Sequence, residues 1–148
     1  MILEGARQIG KSFIIREVGK KLYDNFIEIN FAEDDEGPKI FKGIGTTEGF
    51  YFTLSSVYGE KLDRYENTLI FLDEIQHYPQ YLTLLKFFRE DRRFRFIASG
   101  SLLGITLRET TSIPVGSIIR KNMYQLDFEE FLIANGFGQE ALNTLRTK

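Results

Sequence analysis

The sequence has no cysteine and a single histidine. Disulfide frameworks, thiolate metal centres and histidine-rich metal sites are therefore excluded. No apolar run approaches the roughly 18 residues that a membrane-spanning helix needs, and the first residues lack the charged-then-apolar pattern of a signal peptide. We therefore expect a cytoplasmic protein that makes no membrane contact.

The sequence also lacks a strong charge of either sign. The formal net charge is −2 and the pI is about 5.5, so no overall basic field is present to attract nucleic acid. What is present is apolar and aromatic: 43% of the residues are hydrophobic, and aromatic residues make up 14%, all of them Phe or Tyr. At 148 residues, this composition predicts one packed globular domain over residues 1–148.

One stretch near the start carries a specific chemical signal. It matches the phosphate-binding pattern G-x-x-x-x-G-K-[ST] at every specified position. Glycines let the backbone fold tightly, so that successive N–H groups and the start of the next helix can point at one anion. We expect Lys11 to contact the β- and γ-phosphates of a nucleotide and Ser12 to contact a magnesium ion. The predicted nucleotide-binding residues are Gly5, Ala6, Arg7, Gln8, Ile9, Gly10, Lys11 and Ser12.

The surroundings of this glycine loop have the required order of strand, loop and helix. Only residues 1–4 precede the first glycine, so the first strand is expected to be short. Apolar residues at helical spacing predict a helix from the loop to about Tyr23. Residues 26–31 alternate between apolar and polar positions, which indicates a strand near a sheet edge.

Two further strands end in polar residues. Residues 68–72 form a continuous apolar run, typical of a parallel strand buried on both faces, and Asp73 and Glu74 follow it. Residues 94–98 are predicted to form another strand, which is closed by Ser99, Gly100 and Ser101. Because open α/β sheets bind ligands at the carboxyl ends of their strands, these polar residues are expected beside the glycine loop.

The remaining segments are predicted mainly from periodicity, caps and breakers. Pro79 is expected to start a helix whose apolar positions pack on the sheet, and Asp127 is a good N-cap for a helix that Gly136 ends. The other expected elements are short helices at 39–44 and 48–62, a helix or loop at 102–112, a strand at 118–126, and helices at 128–135 and 139–148.

Together these residues resemble a known family. The glycine loop, the Asp73-Glu74-Ile75-Gln76 strand end, Ser99-Gly100-Ser101 and the late segment 124–131 are similar to prokaryotic AAA-type ATPases that are often fused to a DUF4143 domain. The likeness covers nearly the whole chain, and its late Asp-Phe-Glu-Glu-Phe element is the most family-specific part.

The resemblance implies a three-layer α/β fold of the P-loop NTPase type, with a mainly parallel central sheet. It places the sensor strand, residues 94–98, between the strand of the glycine loop and the strand that ends at Asp73. It also implies that Asp73 helps to hold magnesium through the water shell of the ion and that Glu74 activates the hydrolytic water. Ser99 or Ser101 would take the sensor role, and Lys11 would act on the phosphates of ATP.

The sequence departs from this family in two respects. Many relatives carry a Gly-Arg pair before the last strand, whereas Ser117 follows Gly116 here, so that arginine has no counterpart; Arg108 and Arg120 are the candidates to replace it. The chain also begins late and stops where relatives usually continue. We therefore expect only the ATPase domain, truncated at its N-terminus and without the family's C-terminal domains.

Several functions remain open from the residues alone. The leading prediction is a magnesium-dependent domain that hydrolyses ATP, with a second copy or a protein client as possible partners; nucleic acid is possible through the family but not supported by the charge. A guanine-nucleotide switch would use the same loop, although no N-K-x-D-like segment is present. A small-molecule kinase is a third possibility, and a fragment that binds nucleotide or a partner without hydrolysis is a fourth.

Overall fold

The computed structural model describes residues 1–32, 39–59, 62, 67–101 and 118–146. Within these residues the chain forms an α/β fold in which strands alternate with helices along the first two thirds of the sequence. In chain order the elements are β1 (Ile2–Glu4), α1 (Lys11–Leu22), β2 (Asn25–Asn30), α2 (Thr47–Tyr58), β3 (Thr68–Asp73), α3 (Gln80–Asp91), β4 (Arg95–Gly100), β5 (Arg120–Asn122), α4 (Phe128–Ala134) and α5 (Gln139–Arg146).

The strands form one five-stranded sheet in the order β2-β3-β4-β1-β5. All four neighbouring pairs are parallel. Strand β4 lies between β3 and β1, as the family resemblance implies for the sensor strand. Because every strand runs the same way, the carboxyl ends of β1, β3 and β4 meet at one edge of the sheet.

Strand β3 is the buried centre of this arrangement. All of its residues are buried, and it pairs with β2 on one side and β4 on the other. This confirms the prediction from its continuous apolar run, because a strand covered on both faces has no solvent side that would require polar residues. The predicted edge position of β2 is also confirmed, and its half-buried Glu28 forms an ion pair with Arg16 of α1 at 2.6 Å.

Helices α2 and α3 cover one face of the sheet through an aromatic core. Phe50 of α2 is fully buried, and its ring centre lies 4.7 Å from that of Phe88 on α3. Phe88 in turn stacks on Phe96 of β4 at 4.5 Å with an interplanar angle of 9°. The apolar positions predicted for the helix after Pro79 are all buried: Tyr81, Leu84, Leu85 and Phe88.

Helix α1 covers the opposite face, which completes three layers. A Cβ atom added at Gly19 would lie 2.5 Å from the Phe26 ring and 3.2 Å from the Leu69 side chain, so the helix touches the sheet closely there. Of the apolar positions that predicted this helix, only Ile15 is buried. Ile14, Val18 and Leu22 are 44 to 62% exposed. The helix is therefore confirmed, but its apolar stripe is wider than the surface that the sheet buries.

Three predicted boundaries need correction. The strand expected at 118–126 is limited to Arg120–Asn122, because its partner β1 ends at Glu4, which pairs with Asn122. Residues 40–43 form turns instead of a helix. These turns are closed by backbone hydrogen bonds from the Lys42 N–H to the Lys39 carbonyl and from the Ile44 N–H to the Phe41 carbonyl. The helix expected at 48–62 ends at Tyr58. The segment 102–112 lies outside the described residues.

The late helix begins as its sequence predicted. Asp127 accepts a bond from the Glu130 N–H, and the Glu130 side chain accepts one from the Asp127 N–H, which forms a complete capping box. Gly136 follows the helix with φ of 85°, a conformation that favours glycine. None of the helices among the described residues is long and apolar enough to cross a membrane.

Candidate functional site

The glycine loop connects the end of β1 to the start of α1 in a tightly folded conformation. Gln8 and Gly10 have positive φ angles of 61° and 93°, and Gly10 directly precedes the first residue of the helix. Gly10 is the N-cap residue and has no side chain that could cap this end of α1. The N–H groups of the first helical turn have no partner within the helix, so they can point at an anion.

Gly5 is required where the loop meets the segment after β5. Its φ angle is 155°, and a Cβ atom at this position would lie 2.3 Å from the Met123 carbonyl oxygen. The same Cβ atom would lie 2.6 Å from Ile9 within the loop. Only glycine fits this contact, so the first glycine of the motif shapes the loop and lets the Met123 backbone pass beside it.

Lys11 places its ammonium group against the loop. The residue is 5% exposed, and its Nζ donates to the carbonyl oxygens of Gly5 at 3.0 Å and Ala6 at 2.6 Å. A buried ammonium group needs such partners, because its desolvation is otherwise very costly. These two partners are neutral carbonyls, so an anion at the loop would add a charge-assisted contact to the ammonium group.

Asp73 at the end of β3 joins three parts of the chain. Its Oδ2 accepts a hydrogen bond from Ser12 Oγ at 2.7 Å, and its Oδ1 accepts bonds from Ser99 Oγ and, at 3.0 Å, from the Glu74 N–H. Asp73 is 3% exposed and Ser99 is fully buried. The structure thus brings Ser12, Asp73 and Ser99 together although they lie far apart in the sequence, as the strand-end argument predicted.

A sequence model described as an AAA domain matches residues 1–132, which is most of the chain. The chain belongs to the AAA domain family. No curated protein matches the sequence. Family membership and the parallel sheet identify an ATPase-like nucleotide-binding domain.

In this AAA domain, Glu74 lies one residue beyond β3. Its φ angle of 54° is unusual for a residue with a side chain, and it starts the short 3-10 turn Ile75–His77. Its carboxylate accepts a hydrogen bond from Gln76 Nε2, which also donates to Ser101 Oγ at 3.3 Å. The sequence predicted Glu74 and Ser101 as site residues, whereas Gln76 was only part of the segment that resembles the family and was given no role.

The AAA domain supplies few ligands for a cation by itself. Among the described residues, no three or more His, Cys, Asp or Glu side chains form a group that could hold a metal ion. The Ser12 hydroxyl and the Asp73 carboxylate are nevertheless adjacent oxygen ligands of the type that magnesium prefers. Two protein oxygens fit an ion that usually keeps several waters and takes further ligands from substrate phosphates.

The other predicted residues differ in where they lie. Ala6, Arg7 and Gln8 are exposed on the loop. Arg120, a candidate for the missing arginine, forms an ion pair with Glu4 at 2.6 Å, and this hydrogen bond raises the pKa of its guanidinium group. The other candidate, Arg108, lies outside the described residues, as do Gly116 and Ser117.

Proposed function

We propose that this AAA domain binds ATP together with magnesium and hydrolyses it to ADP and phosphate, so that turnover drives a conformational change. The observation that supports the proposal best is the convergence at one sheet edge. A phosphate-type loop with a buried lysine lies beside a strand end that carries two acidic residues. Phosphoryl transfer depends mainly on such positioning and charge neutralisation.

The glycine loop and Lys11 have the task of holding the phosphates. Backbone N–H groups at the start of α1 point at the anion, and the Lys11 ammonium group exchanges its bonds to the Gly5 and Ala6 carbonyls for bonds to phosphate oxygens. A charge-assisted bond to phosphate is stronger than a bond to a neutral carbonyl. Phosphate binding is therefore expected to reposition this side chain.

Ser12 and Asp73 are the residues that would hold magnesium. Their oxygens are 2.7 Å apart, so both can face one ion once the hydroxyl proton turns away from the carboxylate. When bound, the ion neutralises charge on the phosphate oxygens. Ser99 keeps the Asp73 carboxylate in place through its buried hydrogen bond.

Glu74 is proposed as the base of the hydrolytic step. The oxygen of a water molecule forms a bond to the γ-phosphorus while the bond from that phosphorus to the β–γ bridging oxygen breaks. The Glu74 carboxylate accepts the proton that the water loses, and ADP leaves with the electron pair of the broken bond. Ser99 and Ser101, at the end of β4, are proposed as the residues that sense the γ-phosphate.

Calorimetry tests the binding half of this proposal. We expect ATP with magnesium to bind the wild-type chain, and Lys11→Ala to weaken that binding by at least tenfold because a charge-assisted contact is lost. The matched control is Lys20→Ala, which removes an exposed lysine from the same helix. Equal affinity of Lys11→Ala and wild type would contradict the phosphate site.

The same titration, combined with a measurement of phosphate release, distinguishes ATP hydrolysis from the competing functions. ADP and GTP, each with and without magnesium, are measured beside ATP. Preference for GTP would favour the switch, and ATP binding without phosphate release would favour a non-hydrolysing module. Light scattering with and without ATP tests whether a second copy of the chain binds as a partner.

A further inference from the structure

The Gln76 side chain bridges two parts of the site that the proposed mechanism uses separately. Its Nε2 donates to the Glu74 carboxylate and, at 3.3 Å, to Ser101 Oγ. Glu74 follows β3, whereas Ser101 directly follows β4. One amide group therefore links the ends of two neighbouring strands.

The direction of the amide is fixed by these two partners. A carboxylate only accepts hydrogen bonds, so the opposite orientation would place the Gln76 carbonyl oxygen against the negative charge of Glu74. In the observed orientation Oε1 is buried and accepts no hydrogen bond within the described residues.

The turn that carries Gln76 is itself firmly placed. Ile75 is fully buried in the core, and bonds from His77 N–H to the Glu74 carbonyl and from Tyr78 N–H to the Ile75 carbonyl close the turn. Glu74 enters this turn with a left-handed backbone conformation. The turn fixes the backbone of Glu74, but its carboxylate still needs a partner to be held in one direction.

We propose that Gln76 is a positioning residue that holds the Glu74 carboxylate in the direction required for water activation. This inference rests on the proposed function, because it assigns Gln76 a role that acts through Glu74. A general base must lie within hydrogen-bond reach of the proton that it accepts, and small displacements cost large factors in rate. Ser101, which directly follows β4, accepts a hydrogen bond from the same amide group. A displacement of that strand end would therefore also move the Glu74 carboxylate.

A comparison of single and double variants tests this role. Gln76→Met keeps the size and linear shape of the side chain but removes the donor. We expect kcat for ATP to fall about tenfold or more, as the loss of a hydrogen bond to a charged group implies, while the calorimetric Kd for ATP with magnesium changes less than twofold. Adding Gln76→Met to Glu74→Gln is expected to lower the residual single-turnover rate by less than twofold.

The control variant is Gln80→Met. The Gln80 amide also donates a hydrogen bond, to the Lys42 carbonyl at 2.8 Å, but it lies outside the site. We expect wild-type kcat for this variant. If Gln76→Met does not fold, as judged by its thermal midpoint, Gln76→Leu replaces it and is expected to lower kcat only when Glu74 is present.

Each outcome decides the inference. Wild-type kcat in Gln76→Met, or an equal reduction with and without Glu74, would overturn the positioning role. If Glu74→Gln alone retains wild-type turnover, the proposed base is wrong and the role of Gln76 falls with it. The two failures are therefore distinguishable.

Discussion

Asp73 is the residue on which the site depends most directly. Its carboxylate is almost fully buried, and three donors from the glycine loop, β4 and its own turn converge on it. A carboxylate in such surroundings is stable only while its hydrogen bonds are made. The same bonds hold the loop, β3 and β4 in register, so stability and function share these residues.

The first prediction concerns Ser99→Ala. This change removes a donor from a buried carboxylate, and we expect the free energy of unfolding to fall by about 1–3 kcal/mol. Urea unfolding measures the difference. Ser56→Ala is the control, because the exposed Ser56 hydroxyl donates only to a carbonyl within its own helix. Equal stabilities of the two variants would mean that the Ser99 bond contributes nothing.

The second prediction concerns Gly5→Ala. The added methyl group would lie 2.3 Å from the Met123 carbonyl oxygen, so the loop or the segment after β5 must move. We expect at least a tenfold loss of ATP affinity by calorimetry and a lower thermal midpoint. The control is Gly45→Ala, because no atom of the described residues lies within 4 Å of a Cβ added at Gly45. An unchanged affinity in Gly5→Ala would show that this contact does not shape the loop.

At the scale of residues, the sequence marks those site positions that lie in a motif or at a strand end. Ser12, Asp73 and Ser99 could be brought together because parallel strands end at one edge. Gln76 could not be assigned, since its role depends on the direction of one side chain in a short turn. The pairing of Arg120 with Glu4 likewise depends on the register between β5 and β1, which no local pattern fixes.

At the scale of elements, the two helices on one face depend on a shared aromatic cluster. Phe50 lies within 6.1 Å of Phe88 and Phe96, measured between ring centres, so α2, α3 and β4 meet at one side chain. Aromatic side chains bury large areas, and edge and offset contacts add to that gain. These contacts hold β4, and with it Ser99 and Ser101, against the rest of the domain.

The third prediction compares Phe50→Ala with Phe52→Ala. Phe50 is fully buried, whereas Phe52 on the same helix is 77% exposed. We expect the free energy of unfolding to fall by about 3–5 kcal/mol in Phe50→Ala and by less than about 0.5 kcal/mol in Phe52→Ala. Denaturant unfolding provides both values. Similar losses at the two positions would contradict the described packing of α2.

The fourth prediction concerns the edge between β1 and β5. Arg120 pairs with Glu4, but the arginine side chain is 50% exposed. Because solvent screens such a pair, we expect Arg120→Gln to cost only about 0–1 kcal/mol of unfolding free energy, with a smaller difference in 1 M salt. A loss of several kcal/mol would show that this pair holds the edge strand in place.

Most elements could be predicted from periodicity and caps, and the deviations have physical causes. The buried run of β3 and the capped start of α4 are local signals, and both are confirmed. The length of β5 is not set by local sequence, because β5 ends where its partner strand β1 ends, at the pair of Glu4 with Asn122. The exposed stripe on α1 also could not be foreseen, since apolar spacing does not say how much of a helix face the sheet covers.

At the scale of the whole molecule, the topology creates the site. Strand β4 lies between β3 and β1, so residues that are far apart in sequence share one edge. The AAA domain family model matches residues 1–132, a range that contains all five described strands. The fold and the family were both predicted from the sequence, whereas the roles of the site residues, the extent of the domain and its partners stay predictions.

The central claim is that this site turns over ATP through Glu74. The most direct measurement is phosphate release from ATP with magnesium by wild type and Glu74→Gln, with ATP affinity measured for both. We expect Glu74→Gln to bind ATP within about threefold of wild type and to lose at least 100-fold in kcat, within the range for general acid–base catalysis. Equal phosphate release by the two proteins would contradict the account.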